Sequence, residues 1–311
     1  MFDQNPEEHY LKEGDPGKPT YYIIRRMDEN TDISTMCRLV MGHVRYALSK
    51  GWLPVVDMKN YPNLYLPPEK LGQENAWEYY FEQPLQINLE KAYEGENVIL
   101  SDGNSVELLP DCSMNFLQKK NDALIEWRML LKLGLIKMKP ELSKEIAAIR
   151  EKIFSPGGTM LGVLLRAGAP DQKVKGQPIP PPVEFAANTI ADKFKEWDCD
   201  KIILATDDNS VVETFMYNFG DKCVLLDQIS AVCYDTEQDD SDEPASSEDT
   251  EDKPTEDAET GNYLQGKKNL MQAVLMCKCN YFVAERCSAA TVTMLMAKKF
   301  EQTLFFDLGN Y

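Results

Sequence analysis

The second half of the chain alternates short apolar runs with segments of helical periodicity, and that alternation leaves few folds open. Residues 160–165, 201–205, 223–226, 281–283 and 303–306 read as strands, and 183–197, 210–219, 264–277 and 287–298 as the helices around them. Runs that are apolar at nearly every position suit strands covered on both faces, as in a parallel sheet. The repeated strand–helix order therefore predicts a doubly wound α/β domain. Three of the strand ends carry polar or small residues just before a helix: Leu161-Gly-Val-Leu-Leu-Arg166-Ala-Gly-Ala-Pro-Asp171, Lys201-Ile-Ile-Leu-Ala-Thr-Asp207-Asp208 and Tyr281-Phe-Val-Ala-Glu-Arg-Cys-Ser288. In open parallel sheets such ends form the crevice that binds ligands.

The first half opens with a strand–helix–strand unit. A strand at 21–26 precedes a helix at about 34–49, capped by Ser34, with Met36, Leu39, Val40, His43, Val44 and Ala47 on one face and Gly51 as its stop. Strands follow at 52–57 and 97–101, with a short aromatic helix at 74–81 between them. Residues 111–154 read as helical, interrupted at Pro140. The Ser155-Pro-Gly-Gly158 turn has linker composition and divides the chain into 1–154 and 155–311.

Net charge is −18, but it is unevenly placed: residues 235–260 hold thirteen acids against one lysine, twelve of the eighteen excess negative charges. Without any aliphatic larger than alanine, that stretch cannot offset its ordering entropy by burial and reads as an acidic disordered insertion. Such a surface repels nucleic acid. The eight cysteines lie mostly in apolar runs. Cys277-Lys-Cys279 has the wrong spacing for a zinc pair, so buried, reduced thiols and a cytoplasmic location are expected. The first twenty residues lack the apolar core of a secretory signal, and no run reaches transmembrane length. Peripheral association with a membrane stays open.

Residue by residue, Arg166 offers a guanidinium fork suited to phosphate oxygens, against an ordinary surface ion pair. Asp207 and Asp208 suit a magnesium site or, more simply, a helix cap. Ser288 suits a phosphate at a helix N-terminus, or again a cap. Cys287 beside it lacks the partners of a cysteine nucleophile. The aromatic side chains between Tyr61 and Phe81 suit a core better than a sugar platform.

Taken in order, the three blocks resemble the GDP-fucose-dependent fucosyltransferase superfamily, which covers the core α-1,6-, nodulation and protein O-fucosyltransferases. Residues 162–166 are similar to its first motif, 204–208 with the following Asn-Ser-Val-Val to its second, and 281–288 to its third. Gly42-His43, the Val55-Val-Asp-Met-Lys-Asn-Tyr-Pro62 stretch and the closing Phe305-Phe-Asp-Leu-Gly-Asn-Tyr311 resemble a bacterial polysaccharide-associated branch. The resemblance implies a GT-B-like α/β fold, two Rossmann-like domains facing each other across a cleft, with the acceptor on the N-terminal side and the nucleotide-sugar on the C-terminal side. It implies a metal-independent inverting glycosyltransferase that moves a sugar from GDP-fucose or a related GDP-sugar to a glycan or glycolipid, with no cofactor. Arg166 would neutralise the departing diphosphate, and Asp171 or His43 is the candidate base. Asp207, Asp208, Gln272, Cys287 and Ser288 would hold the donor. The family's histidine and second basic residue in the first motif are replaced by Leu164 and Ala167. Its guanine-pairing acid corresponds to Gln272, and Asn280 stands where its third motif begins with aspartate. These departures open the alternative of a catalytically impaired binding or scaffold protein in polysaccharide biosynthesis.

Overall fold

Two sheets organise the computed structural model, which describes residues 6–103, 122–154, 157–165, 176–226 and 256–311. The first sheet runs β1-β4-β2-β3, from β1 (Glu8–Lys12), β2 (Thr20–Ile24), β3 (Leu53–Val56) and β4 (Asn97–Ser101). β2 lies parallel to both β3 and β4, while β1 joins the edge antiparallel to β4. That edge strand was not legible in the sequence, because its residues are mostly exposed and carry no buried alternation.

Glu8 ties β1 to the first helix. Its carboxylate accepts from the Tyr10 hydroxyl at 2.8 Å and from the Tyr46 hydroxyl, with the Lys50 ammonium at 3.5 Å. Burial alone would push this carboxyl up, but the Tyr46 and Tyr10 bonds and Lys50 together hold it below its ordinary value. A depressed carboxyl supports the fold above the unfolded-state pKa and stops doing so as pH falls through the lower, folded one. β1 amides should therefore lose hydrogen-exchange protection at acid pH sooner in wild type than those of β2. In Glu8→Gln their protection should be lower from the outset and less dependent on pH.

Helix α1 (Ile33–Ser49) begins just ahead of its expected cap. Asp32, not Ser34, is the N-cap, accepting from the Ser34 and Thr35 amides at 2.9 and 3.1 Å. A carboxylate outdoes a hydroxyl there because it also complements the helix dipole. Gly51 follows the helix at φ 74°, a left-handed geometry that glycine adopts without strain. α2 (Leu89–Glu94), α3 (Asp122–Lys132) and α4 (Pro140–Ile153) complete the first half. Pro140 starts α4 rather than breaking a helix, since proline is tolerated in a first turn. The expected helix from 111 falls partly outside the described residues.

The second sheet runs β7-β6-β5-β8-β9, every neighbouring pair parallel: β5 (Met160–Leu164), β6 (Lys201–Ala205), β7 (Cys223–Leu225), β8 (Tyr281–Glu285) and β9 (Gln302–Phe306). α5 (Val183–Glu196) and α6 (Asn209–Phe219) cover one face. α7 (Glu256–Met276) and α8 (Ser288–Met296) lie on the other and pack against α1. Alternate strand residues feed two cores, as the strand period of two requires. Leu161, Val163, Ile202 and Leu204 join the α5/α6 side, whereas Met160, Leu164, Ile203 and Phe282 join a core continuous with α1. Residues 235–255 of the acidic stretch lie outside the described residues. α7 starts at Glu256 instead of 264, and Pro254, the last residue in the stretch that would oppose a helix, lies just before it. Among the described residues no helix is long and apolar enough to cross a membrane.

Candidate functional site

The strand order places the site. β5 is laid first, β6 and β7 are added on one side, β8 and β9 on the other, so the topology reverses between β5 and β8. Ligands of doubly wound sheets bind outside the carboxyl ends at that reversal. There β5 leads through Leu165, which donates its amide to the Ala205 carbonyl at 3.1 Å, and β8 leads into Arg286, Cys287 and Ser288. Arg166 and Asp171 follow β5 but lie outside the described residues, so their geometry is not part of the described site.

The reading of Ser288 as a cap needs correction. Cys287 is the N-cap of α8, its sulfur accepting from the Ala290 amide at 3.4 Å, and Ser288 is the first helical residue. The Ser288 hydroxyl is thereby left for contacts outside its own helix. Arg38 of α1, only 8% exposed, donates Nη1 to it at 2.8 Å, and Thr35 Oγ1 lies 2.8 Å away. Thr35 donates its single hydroxyl proton to Asp32 at 2.7 Å, so it must accept the proton of Ser288. The result is a directed relay from the Arg38 guanidinium through two hydroxyls to the Asp32 carboxylate. Each bond polarises the next, and the relay joins the first helix of the chain to the last.

Beside it, a polar cleft is lined by Leu164, Leu165, Thr206, Asp207 and Ala289 on the strand side and by Gln265, Lys268, Asn269 and Gln272 of α7. The four α7 residues fall at i, i+3, i+4 and i+7 and share one helix face. Asp207 and Gln272, distant in sequence, thus meet in one cleft. Asp208 turns away to cap α6, accepting from the Ser210 amide at 2.6 Å. The opposite face of α7 packs on tyrosines. Tyr80 stacks on Tyr263 with ring centroids 5.6 Å apart and donates its hydroxyl to the Tyr263 carbonyl at 3.0 Å. Gly266 sits so close that a Cβ there would meet Tyr80 Oη at 2.5 Å and Tyr65 Cε1 at 2.7 Å.

His43 is a core histidine, not a base in the cleft. It is 1% exposed, with Nδ1 2.9 Å from the Tyr22 hydroxyl, and burial lowers its pKa to about 4 despite the nearby Asp102. It lies in the second half of α1, behind the turn that carries Arg38. Trp77, Tyr80 and Phe81 are likewise fully buried, with Trp77 stacked on Phe81 at 4.3 Å. The six cysteines among the described residues are free thiols, and burial pushes those of Cys37, Cys223 and Cys277 up to about 12. Asp32, Thr35, Arg38 and Lys268 were missed in the sequence. The one available signal was Arg38 itself, a cation early in a helix whose only other charge is Arg45.

Solved structures share this fold. The fold is that of the NodZ fucosyltransferases. The chain aligns with fucosyltransferase NodZ from Bradyrhizobium at a TM-score of 0.50 and 15% identity, covering 90% of this chain and 94% of that one. It aligns with NodZ alpha-1,6-fucosyltransferase soaked with GDP-fucose at 0.50 and 16% identity, over 94% and 96% of the two chains. With the same enzyme co-crystallized with GDP the values are 0.51 and 12%, over 90% and 93%. At these identities what is shared with NodZ is the fold, the GT-B-like α/β architecture expected from the sequence. No family model matches the sequence, and neither does any curated protein.

Proposed function

We propose that the protein is a metal-independent, inverting glycosyltransferase of the fucosyltransferase type, taking a sugar from GDP-fucose or a related GDP-sugar to a glycan or glycolipid. The observation that carries the reading is the relay-held Ser288 at the N-terminus of α8, beside the polar cleft at the reversal of the second sheet. A helix start offers free backbone N–H groups to phosphate oxygens, and NodZ, which shares the fold, has been crystallised with GDP. Arg166, two residues beyond β5, would supply the cation that steadies the departing diphosphate, with Asp171 as candidate base. Asp207, Gln272 and the Cys287–Ser288 turn would hold the donor, and Asp208 would shape its loop from its cap position. The proposal includes a division at 154/155 into acceptor-side and donor-side domains, a cytoplasmic location, a role in polysaccharide biosynthesis and contact with a membrane only at its surface.

Calorimetry with GDP and GDP-fucose tests it. Wild type should bind both, Arg166→Ala should abolish measurable binding, and Ser288→Ala, which cuts the relay from Arg38 to Asp32 that holds the start of α8, should weaken GDP severalfold. Absence of binding, with Arg166→Ala indistinguishable from wild type, would overturn the enzyme reading. One feature favours a second reading, an impaired binding or scaffold protein: the cleft presents the neutral Gln272 where the resemblance calls for a carboxylate. That reading expects GDP-fucose to bind no better than UDP- or dTDP-sugars and no transfer to any acceptor.

A further inference from the structure

On the first sheet, far in sequence from the cleft residues of α7 and α8, the β1–β4 ladder gathers three metal-ligating side chains that the proposed activity does not use. Glu8 pairs with Ser101 and His9 with Leu100. Continuing that antiparallel register sets Glu7 opposite Asp102, and residues directly opposite share a face. Glu7 and His9, two apart on one strand, share that face as well, while Glu8 between them turns the other way to Tyr46 and Lys50. The donor atoms of Glu7, His9 and Asp102 all lie within 4.8 Å of one another. His9 Nε2 stands 3.9 Å from a carboxylate oxygen of Glu7 and 3.9 Å from one of Asp102.

Those separations are too long for hydrogen bonds, so direct bonding between the imidazole and either carboxylate does not explain the cluster. They are close to what a shared ion imposes. Zinc bonds of about 2.0–2.2 Å at tetrahedral angles put neighbouring donors roughly 3.4 Å apart. Closing from 3.9 Å needs only a small rotation of side chains that are 81%, 47% and 20% exposed for Glu7, His9 and Asp102. Two carboxylates carry the charge to hold a divalent ion, and the imidazole favours a transition metal over magnesium or calcium.

We propose that Glu7, His9 and Asp102 form a binding site for a divalent transition-metal ion, with zinc the fitting probe, that staples the edge strand β1 to the end of β4. Three protein donors leave a fourth position to water. The ion's role is to anchor a strand whose own side chains are largely exposed, and sugar transfer needs no part of it.

The chain's only other histidine, His43, is buried, which makes the test clean. Zinc titrated into the full-length, reduced protein should bind one equivalent at this site and shift the His9 imidazole resonances while leaving those of His43 in place. His9→Ala should weaken that binding at least tenfold, and Glu7→Gln and Asp102→Asn should each weaken it severalfold. Magnesium chloride at the same concentration should leave the His9 signals unmoved. Zinc binding of equal strength in wild type and His9→Ala would place the ion on cysteines or on the acidic stretch and overturn the proposal. His9 resonances that stay put at millimolar zinc would overturn it too.

Discussion

Lowering the pH from 6.5 to 4 should cost the wild-type fold about 3 kcal/mol more than it costs a His43→Gln variant. The buried imidazole stays neutral until pH approaches 4, whereas in the unfolded chain it takes a proton near its ordinary value of 6.5. Between these values the unfolded state binds one proton more than the folded state, so acid favours unfolding across that window. Each unit is worth about 1.36 kcal/mol, which gives the size of the effect. The carboxylates titrate in both proteins, and subtracting the two curves of unfolding free energy against pH removes their share. Glutamine should start lower at neutral pH, through loss of the packed ring and the Tyr22 contact, but its curve should be flatter. Parallel curves in urea denaturation would show that His43 does not titrate on unfolding.

Gly266→Ala should destabilise the protein although alanine is the better helix former. Propensity alone would add about 1 kcal/mol of stability. Against it, the new methyl would sit 2.5 Å from the Tyr80 hydroxyl oxygen and 2.7 Å from a ring carbon of Tyr65. Tyr80 cannot swing aside: it is fully buried, stacked on Tyr263 and bonded to that residue's carbonyl. Overpacking of this kind costs about 1–3 kcal/mol, so after the propensity gain a net loss of up to about 2 kcal/mol is expected, and more for Gly266→Val. Because α7 carries Gln265, Lys268, Asn269 and Gln272 on its other face, its displacement should also weaken any ligand of the cleft. Tyr80→Phe removes the nearest clashing atom, so the double variant should be more stable than the two single losses add up to. Simple additivity would refute the steric account.

Much of the second half is legible in the amino-acid sequence alone. Strands buried on both faces declare themselves as unbroken apolar runs, and β5 and β6 fall within a residue of where those runs lie. β1 escaped because an exposed antiparallel edge needs no apolar pattern, and α2 because six residues are too few to show a period. The site was half legible. Thr206, Asp207 and Ser288 stand at strand ends, where local pattern finds them. Gln272 came only from the family resemblance. Asp32, Thr35 and Arg38 belong to a helix whose importance comes from what touches it, and no local signal reports a partner 250 residues away. His43 misled for a related reason: its place on an apolar helix face was visible, and burial there is what denies it the role of a base.

The bond between Arg38 and Ser288 also bears on how the molecule is made. A ribosome delivers α1 long before α8, and closing so long a loop must precede any return from the contact. The first half can gather its own sheet as it emerges, yet the bond from Arg38 to Ser288 cannot form until the last strand–helix pair arrives. The polar centre of the molecule is thus among the last things assembled, and a nascent chain halted before Ser288 can have a first sheet but no complete site.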